Sequence, residues 1–218
     1  MGLDYLFVHV FWTMPPALLM TAAYWPFLTR LEACKIAALI VIAVAASVPW
    51  DAHLVRRRIW SYPAGAVVGP TLFGIPLEEV FFFVVQTYGT SLLYVILTKR
   101  LVLPAYLPTA RRRRAWLPAL WMLAAAAGLG LGLLALRAGG RWTYTGLILT
   151  WACPVVLLEL SVNGRFLQAL PRTEIALAIG LPTLYLWLVD GLALRRGTWA
   201  IEHGTKLDLQ IWGVLDVE

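Results

Sequence analysis

Apolar residues fill six long stretches of the chain, at 3–25, 35–51, 75–98, 116–136, 142–162 and 174–194, and most charged residues fall between them. Each stretch reaches or approaches the ~20 mostly apolar residues that a helix needs to cross a bilayer. A seventh begins near Leu209 and reaches the last residue, Glu218. The first stretch contains Pro15 and Pro16 and lacks the cleavage pattern of a secretory signal, so it reads as a retained membrane helix. The expected fold is all-α: a polytopic membrane helix bundle.

The pattern repeats. A shift of 139 positions lays Tyr5 on Tyr144, Trp12 on Trp151, Pro15 on Pro154 and Phe27 on Phe166. The same shift lays Asp51 on Asp190, Arg56–Arg57 on Arg195–Arg196, Trp60 on Trp199, Gly65 on Gly204 and Gly74 on Gly213. One ungapped offset that selects Trp, Pro and Asp marks an internal duplication. It divides the chain into a first repeat at 1–98, a linker with a transmembrane helix at 99–141, and an incomplete second repeat at 142–218. Three spans reverse the side of the chain and the linker span restores it, so two parallel three-helix repeats are expected in a 3+1+3 order. The linker run LAAAAGLGLGLLAL suits close helix packing. After Gly74 the chain reads IPLEE, and after Gly213 it reads VLDVE. One extra residue in the second copy sets Glu218 opposite Glu78, and the chain is expected to stop inside its seventh helix.

Composition agrees. With 61% hydrophobic and 14% charged residues, the chain is no ordinary soluble domain. Its eleven Trp and eight Tyr suit rings that settle at headgroup level. The net charge of +6 comes with short basic clusters between spans, at Arg56–Arg58, Arg111–Arg114 and Arg195–Arg196. Clusters so placed contact membrane lipid headgroups, and no nucleic-acid partner is expected. Cys34 and Cys153 form no metal or disulfide pattern, and His9, His53 and His203 are too scattered for a metal cluster. They read as single polar side chains near helix ends or loops. No glycine-rich phosphate loop is present.

The acids carry the chemistry. Asp51 ends the second span, and Glu78 and Glu79 open the third without a cation within a helical turn. Asp190 and Glu218 stand at the same level of the second repeat, and pseudo-symmetry can bring both sets towards one cavity. An acid at a helix centre costs ~2.5–3.5 kcal/mol on insertion scales, and less near the interface. The acids can instead cap helix ends or pair with Arg56 or Arg195. Adjacent helix residues point about 100° apart, so the two glutamates diverge. Glu79 shares a face with Phe82, Phe83, Gln86, Thr90 and Tyr94, whereas Glu78 shares a blander one with Phe82, Val85 and Gly89. Glu79 is therefore the better interior acid. A carboxyl group in an apolar pocket resists ionisation and can act as a proton donor. A cation made by that protonation is stabilised over aromatic faces. The combination suits protonation of an alkene in a lipid-soluble substrate and needs no redox cofactor.

The stretches PWDAHLVRRRIWSYP and GPTLFGIPLEEVFFFVVQTYGTSLLYVIL resemble the membrane lycopene cyclases of the heterodimeric bacterial and fused fungal type. The opening MGLDYLFVHVFWTMPPALL and the closing RRGTWAIEHGTKLDLQIWGVLDVE resemble the fungal branch, and the resemblance covers essentially the whole chain. It implies lycopene β-cyclase activity, an isomerisation in carotenoid biosynthesis. An acid protonates C2 of the ψ-end of lycopene, the C5=C6 bond attacks the tertiary cation at C1, and a base removes the C6 proton to leave a β-ionone ring. It implies Glu78 and Glu79 as acid and base, with Glu218 as their second-repeat counterpart. Asp51 and Asp190 would orient them, and Trp60 and Trp199 would shield the cation or mark the interface. Phe82, Phe83 and Gln86 are candidate substrate contacts. The fungal branch also implies a fused phytoene synthase domain in the full-length protein. Two other readings fit parts of the pattern: a small-solute transporter with 3+1+3 helices, and a carotenoid hydratase.

Overall fold

The computed structural model describes residues 3–63, 65–99, 116–211, 213, 215 and 216, except the side chains of 116, 165, 168 and 169. Glu218 and Arg111–Arg114 lie outside the described residues. Six helices are long and apolar enough to cross a membrane. They are α1 (Asp4–Phe27), α2 (Arg30–Arg56), α3 (Leu77–Thr98), α4 (Trp116–Ala138), α5 (Thr143–Ala169) and α6 (Arg172–Arg196). Several outrun the apolar stretches because helical hydrogen bonding continues through polar ends. At the start of α2 the backbone N–H of Glu32 donates to Thr29 Oγ1 at 3.2 Å, and the N–H of Thr29 donates to Glu32 Oε2 at 2.8 Å. This reciprocal cap satisfies two donors that a helix start leaves open. Glu32 also pairs with Lys99 Nζ at 2.9 Å, and Lys99 donates to the carbonyl of Phe27 at 3.1 Å, so one ion cluster ties the end of α3 to α1 and α2.

Helix α1 is not uniform. Its segment His9–Thr13 is π-helical, just before Pro15 and Pro16. Pro16 has no N–H to offer the carbonyl of Trp12 one turn back. The hydroxyl of Tyr185 in α6 donates to that carbonyl instead, at 2.8 Å. Tyr185→Phe keeps the ring and deletes this donor. It is expected to lower stability by about 1 kcal/mol, read as an earlier thermal unfolding in detergent.

The chain forms two compact units. The first comprises Met1–Arg100, Thr173–Glu202 and Gln210–Leu215, and so holds α1, α2, α3 and nearly all of α6. Its buried layers include Tyr24, Ile36 and Leu92 in one cluster and Val48, Ala52 and Ile75 in another. The second comprises Leu101–Arg172, His203–Leu209 and Asp216–Glu218, with α4 packed on α5. There a Cβ on Gly132 would fall 2.8 Å from Leu149 Cβ and 3.1 Å from the carbonyl of Gly146. The glycines of the linker run therefore let two backbones meet. Lys206 and Asp216 form a buried ion pair at 2.8 Å in the same unit.

The duplication recurs in the backbone. The N–H of Tyr5 donates to Ala66 at 3.0 Å, and 139 positions on the N–H of Tyr144 donates to Thr205 at 2.9 Å. Ile59 donates to Leu54 and Thr198 to Ala193, both at 3.0 Å. Arg58 and Gly197 share a positive φ, at 55° and 68°. Strand β1 (Trp60–Ser61) pairs antiparallel with β4 (Ala200–Ile201) in the first unit, and Ser61 faces Ala200, its own counterpart. An antiparallel pair centred on equivalent residues has a local twofold axis.

The expected helix start near Leu209 is not there. Strands β5 (Gln210–Ile211) and β6 (Leu215–Asp216) occupy that stretch. They correspond to β2 (Thr71–Leu72) and β3 (Ile75–Pro76), displaced by 139 and 140 positions, which places the extra residue between them. Leu209 is thus the counterpart of Pro70, ahead of the hairpin. The apolar residues scattered through LDLQIWGVL read like a helix start when only hydropathy is counted.

Candidate active site

The loop and hairpin between α2 and α3 set the first turn of α3 into the first unit. Ile75 is fully buried, and Pro76 leads directly into Leu77. Both glutamates that follow are buried. The N–H of Val68 donates to Glu78 Oε1 at 2.6 Å, so Glu78 fastens the loop to the helix. Glu79 points elsewhere, as the 100° step requires. Its Oε2 accepts hydrogen bonds from two phenols, Tyr5 of α1 and Tyr62 of the loop, the latter at 2.8 Å. Burial holds the Tyr62 hydroxyl far above the usual tyrosine range.

A wall of rings surrounds these acids. Tyr5 stacks on His9 at 4.8 Å between centroids, meets Trp199 at 5.1 Å and lies 6.1 Å from Tyr62. His9 touches the edge of Phe81 at 5.1 Å, and its ring lies 6.4 Å from that of Phe82. His9 is buried and held at both nitrogens: Nε2 donates to the carbonyl of Glu78 at 2.9 Å, and Nδ1 lies 2.9 Å from Thr13 Oγ1. It ties the π-helical turn of α1 to the acid pair. Such turns are frequent at functional sites.

The other expected residues divide. Asp51 of α2 is buried, and Asp190 of α6 is half-buried. Asp190 is linked to Glu79 through Trp199, whose ring lies 5.1 Å from that of Tyr5. Asp190 Oδ1 accepts from Trp199 Nε1 at 2.9 Å. Trp60 packs against the cluster of Tyr5, Val8 and Trp199. Among the described residues, the ion pairs found are Lys99–Glu32, His203–Asp208 and Lys206–Asp216, so neither Glu78, Glu79 nor Asp51 is neutralised by a cation. Buried oxygens of two of them, Asp51 Oδ2 and Glu78 Oε2, have no hydrogen-bond partner. Phe83 packs against the cluster of Val48, Ala52 and Ile75, and its ring lies 6.3 Å from that of Phe82. Gln86 lies two turns below Glu79, on a cavity shared by α1, α3 and α6. Among the described residues, no group of His, Cys, Asp and Glu is arranged to hold a metal.

No family model matches the sequence, and no solved structure does. Over its whole length the chain is 52% identical to a bifunctional lycopene cyclase/phytoene synthase of Arthroderma gypseum. It is 51% and 48% identical to proteins of the same description from Leptosphaeria maculans and Aspergillus oryzae. The chain is a homologue of the fungal bifunctional lycopene cyclase/phytoene synthases. It spans 37–38% of the length of these three relatives.

The sequence pattern pointed to the acids but not to their partners. Tyr5, His9 and Thr13 recur every fourth residue of an apolar helix, a polar stripe in plain view. His9 is no isolated side chain near a helix end, as its scatter in the sequence had implied. Tyr62 sits in a loop and gives no periodic signal. Tyr62→Phe removes one of the two donors to Glu79. Stability is expected to fall by about 1–2 kcal/mol, as read by thermal unfolding in detergent.

Proposed function

We propose that this chain is the cyclising part of a carotenoid enzyme residing in a membrane, and that its substrate is lycopene or a related acyclic carotene. The carrying observation is the buried Glu79 carboxyl, held by two phenols within a ring wall and without a paired cation among the described residues. Glu79 donates a proton to C2 of the ψ-end. The cation at C1 is attacked by the C5=C6 bond, which closes the ring, and the charge moves to C5. Loss of the C6 proton forms the ring double bond. One proton enters and one leaves, so the reaction is an isomerisation with no redox change. Asp51 or Glu78 takes the departing proton, a role supported by Asp51 Oδ2 and Glu78 Oε2, two buried oxygens with no hydrogen-bond partner among the described residues. The faces of Tyr5, Trp199 and Phe82 stabilise the cation in transit. Phe83 and Trp60 support this wall from behind, and Asp190 orients Trp199.

The same reading takes the chain as a first repeat at 1–98, a linker at 99–141 and a second repeat at 142–218, with Glu218 the counterpart of Glu78. The names of the relatives couple the cyclase to a phytoene synthase, and the longer protein is proposed to carry both activities. Six apolar helices with lipid-soluble surfaces support residence in a bilayer. Expression of the intact gene in lycopene-making cells tests the proposal. Chromatography should show β-ring products. Lycopene left unchanged, or converted to a hydroxylated product by addition of water, would overturn it.

A further inference from the structure

Below the acids, α1, α3 and α6 enclose a cavity of about 180 Å³. We propose that it is a groove for the unreacted polyene arm of the substrate, so that the arm lies along α3 while the end group meets Glu79. This inference rests on the cyclisation reading and adds a binding site to it.

Four observations carry it. First, the cavity is linked to the acid site by a short run of hydrogen bonds. Thr13 lines it and is bonded to His9, which holds the carbonyl of Glu78. Gln86 lines it seven residues after Glu79, on the same face of α3. Second, its position suits an arm that leaves the acid site along α3. The wall on α3 runs from Val85 to Leu93, about 12 Å of helix, and Glu79 stands six residues, about 9 Å, before Val85. Third, its space is made by small side chains that face one another, Ala17 on α1 and Gly89 on α3. A Cβ on Gly89 would meet only Met20 Cε, at 3.7 Å, so the glycine is not demanded by helix packing. Fourth, the polar groups of the wall are engaged with the protein. Gln86 Nε2 donates to Thr90 Oγ1 at 3.3 Å, and the Tyr185 hydroxyl donates to Trp12. What remains is hydrocarbon, from Met20, Leu93, Leu181 and Pro182. Such a wall binds an extended hydrocarbon. A polar solute would find few open hydrogen-bonding groups, which also weighs against a transport pathway.

The test fills the groove in the intact gene product. Gly89→Leu places a side chain in it from α3, and Leu181→Trp does so from α6. Each is assayed on lycopene and on a shortened acyclic analogue that keeps one ψ-end and lacks the far arm. Conversion of lycopene is expected to fall by about tenfold or more, because a misplaced end group loses its alignment with the acid. Conversion of the shortened analogue is expected to fall much less. Helical signature and thermal unfolding identify a variant that fails to fold, and the other variant then decides. Folded variants that convert lycopene at the parent rate overturn the groove, as does an equal loss on both substrates. A parent protein that makes no rings overturns the cyclisation reading instead.

Discussion

Glu79→Gln is expected to abolish ring formation while leaving the protein folded. The amide is the same size as the carboxyl. Its oxygen can still accept the hydrogen bonds that Tyr5 and Tyr62 now give to Oε2. Its NH₂ then stands where Oε1 stands and has no proton to transfer at a useful rate. General acid catalysis contributes roughly 10²–10⁴-fold, so β-ring products should drop by at least about a hundredfold. The measurement is chromatography of pigments from cells that make lycopene and express the intact gene with or without the change. Thermal unfolding in detergent should differ little. If Glu79→Gln forms rings at the parent rate, the acid assignment is wrong, whatever the family resemblance.

Gly132→Leu is expected to have the largest effect on stability. The ideal Cβ at this position already sits 2.8 Å from Leu149 Cβ, and 3.1 Å from Thr150 Cγ2 and from the carbonyl of Gly146. No rotamer of leucine escapes that contact, because the clash begins at Cβ. Helix α4 must move off α5. The reciprocal contact is as tight: a Cβ on Gly146 would meet the carbonyl of Gly132 and the N of Leu136, both at 3.0 Å. Overpacking of this kind costs roughly 1–3 kcal/mol or more. The check is unfolding temperature together with the yield of monodisperse protein in detergent. Gly130 has nothing within 4 Å of its Cβ, so Gly130→Leu on the same helix should be tolerated. Equal stability of the two variants would show that α4 and α5 do not depend on this approach.

Tyr62 shows why half of the site stayed hidden. Its hydroxyl reaches Glu79 only because the chain between α2 and α3 folds back over the helix ends, where the N–H of Ala66 meets the carbonyl of Pro63 and the carbonyl of Ala66 caps Tyr5. Nothing in the local composition of SYPAG encodes that return. Glu79 is the opposite case. Two acids at the head of an apolar run are a local anomaly, and the helical step alone separates their directions.

The sequence by itself determined the six apolar helices, the duplication at 139 positions, the acids and the glycine-rich face of α4. All of these depend on composition and spacing along the chain. Hydropathy and helical periodicity are local quantities, so one dimension suffices to read them. Tertiary structure alone decided that α6 joins α1, α2 and α3, that Tyr5 and Tyr62 share one oxygen of Glu79, that Tyr185 supplies the donor Pro16 lacks, and that a groove opens beside Gly89. Each of these needs atoms brought together from helices far apart in sequence. Their pairing is set by packing and by hydrogen bonds that must find partners wherever the fold offers them.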